Sequence, residues 1–124
     1  MAKYANDLGI DAALDWFAAS TILHVCSSQP ANYAGIAAVS LGSVVIDSGD
    51  FTKADGDTSG RKLTIAAQVI TAASASNAGT TLHCALASTG DSTLRYVTTV
   101  PSQAITSGNP INVGSWKIEI ADPS

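Results

Sequence analysis

The sequence predicts a mainly β fold, an antiparallel β-sandwich or jelly-roll-like barrel with one short N-terminal helix. Three observations predict it. Helical periodicity is confined to the segment before Ser20. From Lys62 onward, short runs rich in β-branched and aromatic residues recur. The segments between those runs are rich in Gly, Asn, Ser and Pro, the residues of tight turns. A chain of 124 residues can bury a real core. No internal repeat or long linker divides it, so residues 1–124 read as a single domain.

The helix is expected over about residues 7–19, in "NDLGIDAALDWFAAST". Ile10, Ala13, Leu14 and Phe17 recur at i, i+3, i+4 and i+7, the spacing of one buried helical face. Asn6 or Asp7 can cap its start, and Asp7 and Asp11 sit favourably in the first turn. Asp11 and Asp15, one turn apart, read as a solvated helix face. After it, "TILHVCSS" reads as a strand closed by Gln29-Pro30. "YAGIAAVSLGSVVI" is ambiguous: rich in Ala, yet interrupted by Gly35 and Gly42 and β-branched from Val44 to Ile46. Further strands are expected at Leu63–Ile70, Thr81–Ser88, Leu94–Thr99 and Trp116–Ile120, separated by "SASNAG", "STGDS" and "TSGNPINVG". The last alternates cleanly, with Trp116, Ile118 and Ile120 on one face and Lys117 and Glu119 on the other. The helix is expected to pack over an open end or edge of the β-structure.

"DGDTSG", Asp55 to Gly60, places Asp55, Asp57, Ser59 and Gly60 on positions 1, 3, 5 and 6 of a calcium-binding EF-hand loop. The match ends there. Position 12 of that loop demands a bidentate Glu and is Ala66, while position 8, normally apolar, is Lys62. The chain beyond Arg61 alternates with period two, Leu63, Ile65, Ala67 and Val69 against Lys62, Thr64, Ala66 and Gln68, so a strand and not a helix flanks the loop. A polar turn leading into a strand accounts for the segment, and no metal site is expected.

Composition excludes several functions. The net charge of -4 and the scatter of six Lys and Arg argue against nucleic acid, whose phosphates call for a basic patch. No apolar run reaches the length of a membrane span. "MAKYANDLGIDAALDWF" lacks the basic start and apolar core of a signal peptide, so the protein is expected to be made and used in the cytosol, or to leave by a route other than secretion. Charged residues are 13% of the chain, about half the usual share. Such a surface suits a protein covered in part by its own copies or by a partner.

Two cysteines, Cys26 and Cys84, make no disulfide framework and read as small buried hydrophobes. Zinc is not expected: on strands His24 and Cys26 share a face, while His83 and Cys84 point opposite ways. A nucleophile needs a base beside it, and neither histidine sits in a recognisable elbow. "TSGRKL" lacks the spacing of a phosphate-binding loop. Tyr33 and Tyr96 read as core. No catalytic, cofactor-binding or metal residue is assigned, no cofactor is expected, and the chain is not expected to be an enzyme.

Four stretches, "YANDLGIDAALDWF…ILHVCSSQPANYAGI", "ADGDTSGRKLTIAA", "TTLHCALAS…STLRYVTTV" and "ITSGNPINVGSWKIEIADPS", resemble a family of small structural proteins of tailed bacteriophages. The resemblance covers nearly the whole chain, and its motifs are turns and strands. It implies a virion component acting by self-association and by binding other virion proteins. A capsid decoration or cement protein on the major capsid protein lattice is the leading expectation. A neck or tail structural component comes second, and a carbohydrate-binding host-recognition module third. The expected partners are the chain itself, as a homo-oligomer, and capsid, neck or tail proteins. A trimer is the state suggested by the three-fold docking points of icosahedral capsids.

Overall fold

The helix begins where the chain supplies a cap. In the computed structural model, which describes residues 5–122, the Asn6 side chain accepts a hydrogen bond from the Leu8 amide (2.8 Å) and opens α1, Asp7–Ala18. Tyr4, Pro123 and Ser124, at the outer ends of the phage-like stretches, lie outside the described residues. Ile10 and Leu14 are buried and Phe17 packs against them, as the spacing predicts. Ala13 is exposed instead.

The ambiguous segment is two elements. After β1 (Ile22–Cys26), a second helix, α2 (Tyr33–Val39), runs directly into β2 (Ser40–Val45). Asn32 caps α2 by accepting from the Gly35 amide (2.8 Å), and Ile36 is its buried residue. The expectation of one helix is therefore corrected to two.

A 3-10 turn at Ser48–Asp50, closed by a capping box between Asp47 and Asp50, leads into β3, Phe51–Asp55. The strand expected over Leu63–Ile70 is broken into β4 (Arg61–Ile65) and β5 (Gln68–Ile70). At the break the Ala66 amide donates to the Asp50 carbonyl (2.8 Å), and the alternation changes phase: Val69 is exposed and Ile70 buried. Four more strands complete the chain: β6 (His83–Ser88), β7 (Thr93–Thr99), β8 (Ile111–Val113) and β9 (Trp116–Ile120).

The fold is mainly β, and every pair of these strands is antiparallel. They form a four-stranded sheet ordered β2-β1-β6-β7, a three-stranded sheet ordered β3-β4-β9 and the pair β5-β8. One large core joins the sheets to α1: Ile10, Leu14, Leu23, Val25, Leu63, Ile65, Leu86, Ile111 and Ile118 belong to it. α1 lies against β3 and β4, the edge and centre of the three-stranded sheet. α2 lies on the opposite face of the four-stranded sheet, where Cys26, Ile36, Ala85 and Ala87 make a second, smaller core.

Candidate functional site: a locked turn and an uncharged face

The Asp55–Gly60 turn joins β3 to β4, and its carboxylates are already engaged. Asp57 takes Lys62 (2.7 Å) and Lys117, while its amide donates to the Glu119 carboxylate. Asp55 takes Arg61 (2.7 Å). Gly60 has φ +69°, and a Cβ there would collide with the Ile120 carbonyl oxygen. Glycine is needed for both reasons. Ser59 Oγ accepts from the Asp122 amide (3.1 Å), tying the turn to the end of β9. Among the described residues, no three His, Cys, Asp or Glu side chains are grouped so as to hold a metal ion.

Of the two helix carboxylates, Asp15 faces solvent as expected, with its side chain 58% exposed, whereas Asp11 does not. Asp11 meets Arg61 at 2.9 Å with both side chains largely buried, and Asp15 meets Lys53 at 2.6 Å. Register puts Lys53 and Asp55 of β3 on the same face as Leu63 and Arg61 of β4, so α1 is pinned to that face by charge as well as by Leu14. The hydrogen bonds that Arg61 donates to the Asp11 and Asp55 carboxylates hold its guanidinium above its usual pKa.

Of the six Lys and Arg, Lys3 lies outside the described residues, and each of the others has an acidic partner within the chain. No described cation is left over for a phosphate backbone.

Charge is also segregated. Trp16–Ile46, Ala66–Gly90 and Tyr96–Trp116 contain no Asp, Glu, Lys or Arg. These segments supply β1, α2, β2, β5, β6, β8 and most of β7. The ion pairs gather on α1, β3, β4 and β9, apart from Arg95–Asp91 beside Trp16. The outer face of the four-stranded sheet is consequently uncharged. Register sets out its cross-strand rows as Val45–Ile22–Ala87–Leu94, Ser43–His24–Ala85–Val97 and Ser40–Cys26–His83–Thr99. Val45, on edge strand β2, is 80% exposed, and Val69 on β5 is exposed too.

His24, Cys26 and His83 share that face, whereas Cys84 points into the main core. His24 Nδ1 and Ser40 Oγ are hydrogen-bonded (2.9 Å), and the His83 Nδ1 lies 2.9 Å from the Thr81 carbonyl oxygen. Burial pushes the Cys26 thiol up to about 11 and the Cys84 thiol up to about 12.

Tyr33 and Tyr96 have different surroundings. Tyr33 lines a cavity of about 130 Å³ with His24, Ile36 and Ala37. Tyr96 belongs to an aromatic chain: it meets Phe17 edge-on (5.4 Å) and stacks on Trp116 (5.7 Å), while Phe17 meets Trp16 edge-on (5.4 Å). A cleft of about 220 Å³, lined by Val100, Pro101, Val113 and Trp116 among others, opens beyond the Trp116 end. The β8 wall of this cleft lies within a stretch read as a turn; the Ile111-x-Val113 alternation was the available signal.

Compared with protein-family models, with curated proteins and with solved structures, the chain matches none.

Proposed function

We propose that this protein is a structural component of a tailed-bacteriophage virion, and that it acts as a capsid decoration protein docking through its uncharged face. The observation that carries the docking role is the segregation of charge: ion pairs are neutralised within the chain on one side, and the other side presents β-structure and α2 without a charge. Such a surface is cheap to desolvate, because burying an unpaired charge costs far more than burying Ala, Ser, Thr or Val. β2 is an edge strand of the sheet with no charge or proline to guard it, covered on its outer side, among the described residues, only where the Leu41 carbonyl accepts from the Ser74 amide. The virion setting rests on the four sequence stretches that resemble phage structural proteins. Repeated copies on a lattice would bind tightly through weak individual contacts.

Light scattering on the purified protein measures self-association, with a trimer expected. Incubation with undecorated heads measures docking, and copy number per particle identifies the place. A capsid-like copy number supports decoration. A monomer that ignores heads but joins purified necks or tails assigns it there instead. Because the face carries no charge, attachment should survive moderate salt, unlike a complex driven by counterion release.

A further inference from the structure

α2 has seven residues, too few for a helix to persist without packing. It is held on the sheet by a small core of Cys26, Ile36, Ala85 and Ala87, with Tyr33 and Val39 of the helix and Ile22, Leu94 and Val97 of the sheet packed around it only partly buried. Between helix and sheet is the half-open pocket of about 130 Å³, lined by His24 of the sheet and by Tyr33, Ile36 and Ala37 of the helix. His24 Nδ1 is hydrogen-bonded to Ser40 Oγ, and Ser40 is the residue that ends α2 and begins β2. The amide of Ser40 in turn donates to the Ile36 carbonyl. One side chain therefore touches both the floor under the helix and its last turn.

We propose that His24 is a protonation-controlled latch: neutral, it seats α2 on the four-stranded sheet, and protonated, it releases the helix and opens the small core. The hydrogen bond to Ser40 can persist in either state, since a hydroxyl accepts as well as donates. What changes is the second ring nitrogen, which gains a proton and a share of positive charge. β1, α2, β2 and β6 contain no Asp, Glu, Lys or Arg. On the His24 face of these elements the ionisable groups are Tyr33 of α2, Cys26 of its own strand and His83 of β6, with none on β2; Cys84 of β6 points into the main core on the other face. None is an anion near neutral pH, and a protonated His83 would add repulsion. The charge is left without compensation, and burial accordingly holds the His24 pKa below its ordinary 6.5. His24 is half-buried in the closed state, and opening the helix exposes the rest of the ring to water. The latch is independent of what the face binds.

Hydrogen exchange on the intact protein tests it, with rates corrected for their intrinsic pH dependence. Protection of the α2 amides and of Ser40 should fall as pH drops from about 7 to about 5, by up to about tenfold per unit for one linked proton. Protection in β4 and β9 should hold over the same range. His24→Asn keeps a group able to bond Ser40 but cannot be protonated, and should flatten the dependence; His83→Asn should not. Equal pH dependence in wild type and His24→Asn would overturn the latch, as would unchanging α2 protection in the wild type. The wild-type measurement alone decides if His24→Asn does not fold.

Discussion

Cys26 and Cys84 stand on adjacent strands but on opposite faces of one sheet. The cross-strand partner of Cys84 is Val25, so Cys26, one residue further, points into the small core under α2 while Cys84 points into the main one. Two thiols separated by the thickness of a sheet cannot meet disulfide geometry without breaking the pairing of β1 with β6. Both are buried and hold their protons well above the usual thiol range, because a thiolate there would be desolvated. Native thiol labelling at neutral pH should therefore be slow at both sites, and the intact mass should be that of the fully reduced chain. Rapid labelling of both, or a mass lower by two hydrogens, contradicts this placement.

Ile118→Ala should destabilise the fold by about 2–4 kcal/mol, the range for a buried large-to-small change. Ile118 is buried against Leu63 of the central strand β4. Lys117→Ala, on the other face and half in solvent, should cost much less. Denaturant unfolding of the two variants measures the difference, and equal losses would contradict the register.

The alternation in Trp116–Ile120 was legible because large apolar and charged residues take turns there. The same reasoning was misled at Leu63–Ile70, since Ala66 and Ala67 fit either face and so hide the change of phase between Ile65 and Ile70. β3 left little apolar signal: Phe51 packs on the core, but the positions that share its face, Lys53 and Asp55, are exposed and paired with Asp15 and Arg61. Helix periodicity correctly marked Ile10 and Leu14 but could not show that Asp11 and Asp15 face basic side chains of a sheet. The uncharged face was visible as composition only, and became a surface once the strand order brought its segments together.

Gly60→Ala should lower stability by at least about 1–2 kcal/mol, the penalty of a left-handed backbone for a residue with a Cβ, with the clash against Ile120 adding to it. Thermal or denaturant unfolding checks this. Gly108→Ala serves as a reference, since its φ is also positive (86°) but no atom crowds its Cβ position. The expected order of loss is Gly60 first.

Calcium and a chelator should leave the melting curve unchanged. The carboxylates of Asp55 and Asp57 face Arg61, Lys62 and Lys117, so a divalent cation would have to displace cations already in place. A chelator-induced fall of the melting temperature would contradict this.

Arg61→Met should lower the melting temperature more than Lys62→Met. Arg61 joins α1, β3 and β4 through Asp11 and Asp55, whereas Lys62 serves the turn alone. If α1 is pinned as described, the loss should appear first as faster hydrogen exchange in that helix.

The aromatic chain from Trp16 to Trp116 makes the protein its own optical probe. The two tryptophans sit in unlike surroundings: Trp16 is 46% exposed beneath the Arg95 guanidinium, and Trp116 stacks on Tyr96 with its indole nitrogen buried. Emission from Trp16 should lie to the red and yield to a dissolved quencher, while emission from Trp116 should lie to the blue and gain energy passed on by Tyr96. A neighbour settling on α1 would shield the first fluorophore and leave the second alone, and one entering the cleft beside Trp116 would do the reverse.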